Sequence, residues 1–133
     1  MPSTAAAPVK EEVFTDGAPL PIGIYSQAVK AGNLVFLSAQ APISPVSNTV
    51  EREDFEGQLR QSLSNLAAVA TNAGGDLGNV VKVTAFITDF ANFPTLNAVM
   101  EEFFPKPYPA RTTAEVARLP RNTLIAIEAI MAL

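Results

Sequence analysis

The sequence contains no cysteine and no histidine. Without cysteine it forms no disulfide, no zinc–thiolate site and no thiol-based redox centre. Without histidine it lacks the side chain that most often serves as general base or metal ligand, and a Ser–His–Asp triad is excluded. We therefore expect no metal site, and any chemistry must use carboxylates, Lys, Arg, Tyr, hydroxyl groups, the backbone or bound water.

Basic residues are also few: nine Lys and Arg stand against thirteen Asp and Glu, for a net charge of −4. They are scattered, and nucleic-acid binding depends on clustered positive charge, so we expect no nucleic-acid partner. The N-terminus has neither a basic start nor a continuous apolar stretch, which argues against a secretory signal. No apolar run approaches the ~20 residues that span a bilayer, so we expect a cytoplasmic protein without a membrane partner.

The length of 133 residues favours one domain. Residues 1–16 begin with small residues and prolines and show no period, which predicts a flexible N-terminal tail. We assign the remaining residues, 17–133, to the domain.

Two helices are predicted from apolar residues that recur at spacings of three and four. The first covers residues 54–72, with Asp54 as N-cap and Gly74 and Gly75 after its end. Its apolar stripe is Phe55, Leu59, Leu63, Leu66 and Ala70. The second covers residues 92–103, with a stripe of Phe93, Leu96, Val99, Met100 and Phe103.

Strands are predicted at residues 25–30, 34–39, 80–88, 111–116 and 123–131. Two strands, a helix, a strand, a helix and two strands predict an α+β fold, with a mixed sheet and both helices on one face. The last strand is apolar on both faces, and two helices cover only one. Its other face therefore predicts an oligomer, the alternative being a central strand between two layers of the same chain.

Three residues are the main candidates for chemistry. Arg111 follows Pro109 and opens a strand, and its planar charge fits a carboxylate, although a surface arginine explains the same pattern more simply. Glu128 is the lone charge in an apolar strand, either an acid or base with a raised pKa or a structural carboxylate paired across an interface. Tyr25 near Gly23 is either a hydrogen-bond donor to a ligand or a half-buried packing residue.

Weaker signals come from residues beside predicted elements. Asn97 lies on the second helix, where a solvated position is the simplest interpretation. Ser38 and Gln40 end a strand just before a proline, and backbone amides freed there are candidates for binding an anion. No phosphate-binding loop or dinucleotide fingerprint is present.

Several segments, in the same order over nearly all of residues 17–133, resemble the Rid (YjgF) family. They are IGIYSQA at 22–28, GNLVFLS at 32–38, NAVMEEFF at 97–104, PARTT at 109–113, EVARLP at 115–120 and IEAI at 127–130. The resemblance implies a chorismate-mutase-like fold and a homotrimer with clefts between subunits. It also implies a cofactor-free enzyme that hydrolyses reactive 2-imino or enamine acids to 2-oxo acids and ammonia.

The resemblance also implies a set of site residues. It gives Arg111 the role of binding the substrate carboxylate, with Tyr25 and Glu128 as further catalytic candidates. It places the remaining substrate-binding positions at Ser38, Ala39, Asn97 and Thr113. Thr113 stands where the family often has cysteine.

Two positions depart from the family pattern. Many hydrolytic members have a glutamate that helps position the attacking water, and this chain has Ala126 there. Glu128 lies on the same strand face, roughly 6–7 Å further along. The usual Ser-Gly-Gln reads Ser38-Ala39-Gln40, which adds a Cβ where the backbone approaches the ligand.

Three functions follow as hypotheses. The first is an imine or enamine deaminase. The second is a Rid-fold enzyme that orients an imine for cyclisation or condensation in a biosynthetic pathway without hydrolysing it, which the loss of the glutamate at Ala126 motivates. The third is a ligand-binding or chaperone-like module without turnover.

Overall fold

A computed structural model describes residues 9–133 as two α-helices and one six-stranded sheet, with short 3₁₀ turns between them. The helices are α1, Phe55–Asn72, and α2, Phe93–Phe103. The strands are β1 Glu11–Val13, β2 Ala28–Ala31, β3 Leu34–Gln40, β4 Val80–Ile87, β5 Ala110–Glu115 and β6 Ile125–Ala132. The predicted α+β class and its order of helices and strands over residues 25–133 are confirmed.

Helix α1 begins and ends where its local sequence directs. The Asp54 carboxylate accepts a hydrogen bond from the Gly57 N–H at 2.9 Å, which satisfies one of the free donors of the first turn. The chain leaves the helix through Gly74, whose φ of +105° favours glycine. The predicted stripe is buried throughout: Phe55, Leu59, Leu63, Leu66 and Ala70.

Helix α2 lies beside α1 and covers the same face of the sheet. Leu96, Val99 and Met100 are buried, while Phe93 and Phe103 pack at the margin of the core. Arg60 of α1 binds Glu102 of α2 through two hydrogen bonds of 2.9 and 3.2 Å. This exposed ion pair bridges the two helices but adds little stability, because solvent screens it.

The strands are ordered β1-β2-β3-β6-β4-β5. Only the pair β4–β5 is parallel, so the sheet is mixed as predicted. The parallel crossover from β4 to β5 is made through α2, which places that helix directly over the β5 edge. β6, the last strand in sequence, lies in the middle of the sheet between β3 and β4.

Part of the predicted tail is a strand. Residues 1–16 were expected to be a flexible tail, yet Glu11–Val13 pairs with β2 at the edge of the sheet and Val13 is buried. Three residues are too few to show a period, and the stability of this strand comes from its partner. Residues 1–8 lie outside the described part. The predicted strand at 25–30 also begins later, at Ala28.

The two faces of the sheet differ. Along β6, Ile125, Ile127, Ala129 and Met131 point to the helices and are buried. The opposite face, called the open face below, carries Glu128 and Phe36, both exposed. The predicted oligomer would cover this face, and that expectation stays a prediction.

Buried amide side chains hold the loops at one end of the sheet. Asn65 of α1 is 1% exposed and donates to the carbonyl oxygens of Ala41 and Ile43 at 3.1 and 2.9 Å. Gln27 donates to the carbonyls of Thr15 and Pro19, each at 3.0 Å. Irregular backbone at the end of β3 therefore has fixed partners, as buried polar groups require.

Replacing Asn65 by alanine is expected to destabilise the fold by about 2 kcal/mol, because two loop carbonyls lose their donor. Chemical denaturation followed by circular dichroism measures the change. Ser64→Ala on the exposed side of the same helix is the matched control and should leave stability nearly unchanged. Equal stability of the two variants would contradict the role given to Asn65.

Candidate active site

Arg111 lies on β5 with its side chain on the helix-covered face. It is paired in register with the buried Val83, and strand alternation places both on that face. Its Nη1 donates to the Met100 sulfur at 3.5 Å, and its guanidinium carbon is 5.3 Å from the centre of the Phe93 ring. Sulfur and aromatic contacts hold the guanidinium in place without neutralising it.

The charge of Arg111 has no counter-ion within residues 9–133, since the ion pairs there use Arg52 or Arg60. Burial lowers the pKa of Arg111 by desolvation. Guanidinium pKa values start so high that the group stays charged at neutral pH. A partly desolvated, unpaired cation favours an anionic ligand that can accept its hydrogen bonds.

A cleft of about 450 Å³ opens beside this guanidinium. We call it the Arg111 cleft; its other lining residues are Asn97, Met100, Glu101, Phe104, Tyr108 and Pro109. The structure therefore brings Asn97 and Arg111 together, although Asn97 alone gave only the signal of a solvated helix position. Tyr108 and Phe104 give the cleft an aromatic side, and Asn97 supplies an amide that can donate or accept.

Thr113 lies two residues beyond Arg111 on the same face of β5. Its Oγ1 is buried and makes no hydrogen bond to any residue in 9–133. Hydroxyl groups in such surroundings usually have a partner. Thr113 therefore offers a free donor or acceptor close to the base of the Arg111 side chain.

The other candidates form a second group on the open face. Tyr25, Ala39 and Ala126 line a groove of about 320 Å³, called the Tyr25 groove. Tyr25, Ser38 and Glu128 line an adjoining groove of about 470 Å³, called the Glu128 groove. Tyr25 is 49% exposed, and its phenol oxygen accepts the Ile22 N–H at 3.2 Å.

The expectation of a free amide at Ser38 is wrong. Its N–H donates to the Gln27 carbonyl at 2.9 Å, and its hydroxyl donates to the Ser26 carbonyl at 2.6 Å. The segment before β2 occupies these groups because it continues the antiparallel pairing of β2 with β3 beyond Ala28. The hydroxyl oxygen of Ser38 can still accept a hydrogen bond.

Glu128 is not buried in the single chain. It lies on the open face opposite Thr84 of β4, exposed to solvent. Strand alternation predicts this direction, and the pairing of Glu128 across an interface stays a prediction. The neighbouring residues are buried because they face the helices, or, for Ala126, because loops cover the end of the sheet.

The two groups lie on opposite faces of the sheet. Arg111 and Thr113 are on the helix-covered face of edge strand β5, whereas Ala126 and Glu128 are on the open face of β6, with β4 between. One chain therefore does not bring Arg111 and Tyr25 into one cleft. It presents two separate candidate regions.

Sequence reasoning missed the residues that hold Arg111. Met100 and Phe93 were predicted only as members of the apolar stripe of α2. The signal that separates them is their place on α2, the crossover helix that leads into β5, where helix residues meet a residue of the strand. Tyr108, which lies between Pro107 and Pro109, was also missed, because it belongs to no predicted helix or strand.

The family model described as “Endoribonuclease L-PSP” matches residues 15–133. A RutC family protein of Pyrococcus horikoshii is 46% identical over 92% of this chain and 97% of its own. A 2-iminobutanoate/2-iminopropanoate deaminase of Dermatophagoides farinae is 43% identical over 92% and 95%. The crystal structure of RidA from an Antarctic Psychrobacter matches with a TM-score of 0.90 and 40% identity, over 92% and 99%.

The chain belongs to the Rid (YjgF/RutC) family. The family match and the deaminase relative confirm the resemblance seen in the sequence motifs. The structural match confirms the chorismate-mutase-like fold of a Rid protein. The family also makes a small-molecule substrate the right class to consider.

Two further findings on this Rid chain concern metal binding and membrane-spanning helices. Among residues 9–133, no three Asp or Glu side chains come close enough together to form a metal site. In the same part of the chain, neither helix is long and apolar enough to cross a membrane.

Replacing Arg111 by methionine is expected to weaken binding of pyruvate at least about tenfold, because the charge-assisted bonds to a carboxylate are lost. Isothermal titration calorimetry measures the affinity. Arg52→Met, at an exposed arginine outside the cleft, is the control and should bind like the parent. Unchanged affinity in Arg111→Met would refute the anchoring role.

Proposed function

We propose that the protein hydrolyses reactive 2-imino and enamine acids to 2-oxo acids and ammonia. The observation that carries the proposal is the Arg111 guanidinium, half-buried and without a carboxylate partner in residues 9–133. Such a cation suits the carboxylate that every substrate of this class carries. The deaminase name of a 43% identical relative supports the same reaction.

In the proposed reaction, water adds to C2 of the imine and gives a carbinolamine with one hydroxyl and one amino group. The amino nitrogen takes a proton and leaves as ammonia, while the hydroxyl loses its proton and becomes the carbonyl of the 2-oxo acid. One water is consumed for each ammonia released. An enamine first takes a proton at C3 and becomes the imine.

The protein contributes position and proton transfer. Arg111 fixes the carboxylate, Asn97 and the free Oγ1 of Thr113 bind beside it, and Tyr25 passes protons between nitrogen and water. Glu128 shares a groove with Tyr25 and is the carboxylate available to orient the water. The imine is already electrophilic, so the step requires neither a cofactor nor a covalent nucleophile.

The proposed site is completed between subunits of a homotrimer. Arg111 and Tyr25 lie on opposite faces of one sheet, so they share a substrate only when the Arg111 cleft of one subunit meets the Tyr25 groove of the next. Such a head-to-tail contact closes into a ring of identical sites. The exposed Phe36 and Tyr25 on the open face supply apolar surface for it.

A second candidate is a non-hydrolytic reaction in which the bound imine is attacked by another group. Ala126 favours it, because the Tyr25 groove has no carboxylate among its lining residues and is mostly apolar. Cleavage of RNA, which the family description names, is less compatible with this chain. A net charge of −4 and the absence of histidine offer neither a phosphate-binding surface nor the usual general base.

Ammonia release tests the reaction directly. Imines of 2-oxobutanoate and pyruvate, generated in place by threonine or serine dehydratase, should be hydrolysed faster with the protein than in buffer. Ala126→Glu should raise kcat at least about tenfold, because a second carboxylate then helps Glu128 orient the water. No acceleration by either protein would exclude the deaminase, whereas activity of the variant alone would favour the non-hydrolytic candidate.

Mixed subunits test the composite site. Arg111→Met and Tyr25→Phe should each be nearly inactive, yet trimers reassembled from an equal mixture should recover about a quarter of parental activity, since that share of clefts combines two intact halves. As the control, each variant is refolded alone by the same procedure and its activity is measured. If the mixture is no more active than its components, no cleft combines Arg111 of one subunit with Tyr25 of the next, and the composite site is refuted.

A further inference from the structure

The Tyr25 groove differs chemically from the Arg111 cleft. Its volume is about 320 Å³, and its walls include Leu20, Ile22, Ile43, Phe86 and Leu119. Ala126 forms part of its floor and is 6% exposed. No Asp, Glu, Lys or Arg is among the lining residues.

Few polar side chains of residues 9–133 line this groove, and none of them is charged. The Gln27 amide donates to Thr15 and Pro19 and accepts from Thr15. The Gln40 amide makes a long 3.5 Å contact to the Ser38 carbonyl, and the phenol of Tyr25 lies at the edge. A charged group in the groove would therefore lose its water without gaining an ionic partner.

We infer that the Tyr25 groove binds the side chain of the substrate and selects apolar side chains larger than methyl. The inference rests on the proposed function for the carboxylate anchor. Charge complementarity supports it, since the cation lies in the Arg111 cleft and the neutral surface in the Tyr25 groove. The groove has about ten times the ~30 Å³ of one water, so an isobutyl or benzyl group fits it.

The area of apolar surface that the substrate side chain buries sets the expected gain in affinity. Each methylene removed from water gains about fourfold in affinity. Affinity should therefore rise along the series pyruvate, 2-oxobutanoate and 4-methyl-2-oxopentanoate, with phenylpyruvate also tighter than pyruvate. Isothermal titration calorimetry of these stable 2-oxo acids measures the series without requiring turnover.

A paired substitution locates the effect in the groove. Ile22→Asn replaces a wall residue that is 55% exposed, so the fold should tolerate it. The affinity ratio of 4-methyl-2-oxopentanoate to pyruvate should fall at least about fourfold. Val46→Asn, at a 94% exposed position outside the groove, should keep the parental ratio.

The outcomes separate this inference from the proposed function. Equal affinity for all four acids, or an unchanged ratio in Ile22→Asn, overturns the side-chain pocket even when the protein releases ammonia. The same results follow if another copy of the chain fills the groove. A rising series together with the expected fall in Ile22→Asn upholds the pocket even when ammonia release fails.

Discussion

One constraint underlies the proposed site: the fold partly removes the Arg111 guanidinium from water, and no carboxylate of residues 9–133 pairs with it. Burial of a charge costs free energy unless a partner repays it, and the contacts of Arg111 are a thioether and an aromatic ring. Natural folds keep such an arrangement mostly where a ligand completes it. The chemistry of that ligand follows from the planar fork of the cation, which fits a carboxylate.

The second constraint is topological. A parallel crossover sends the chain from β4 through α2 to edge strand β5, so Arg111 faces the helices. The antiparallel return of β6 to the middle of the sheet puts Ala126 and Glu128 on the other face. Under the proposed function, these two faces become halves of one cleft in a trimer. The proposal then assigns the carboxylate of the substrate to one face and its side chain to the other.

The sequence predicted what local patterns determine. Helix α1 was predicted within one residue because its stripe, its N-cap at Asp54 and its glycine stop all act within a few residues. β1 was missed, since a three-residue strand is stabilised by its partner and has no periodic signal. The sequence left the role of Glu128 open for a related reason. Which face of a strand is covered depends on the whole sheet.

The residues of the candidate site could be predicted from the sequence, but their arrangement in space could not. The family motifs named Arg111, Asn97 and Tyr25, but only the strand order shows that Arg111 and Asn97 share a cleft and that Tyr25 does not. The contacts of Arg111 to Met100 and Phe93 could not be read from a helix stripe, which looks the same in an ordinary core. The unpaired hydroxyl of Thr113 likewise depends on the three-dimensional packing around it, which the sequence does not reveal.

A crystal structure with 2-oxobutanoate bound tests the central claim most directly. The account predicts the ligand carboxylate within hydrogen-bond distance of the Arg111 guanidinium, with Tyr25 of a neighbouring subunit on the other side of the same cleft. A ligand bound away from Arg111, or an Arg111 paired with a protein carboxylate in the assembled protein, would contradict it.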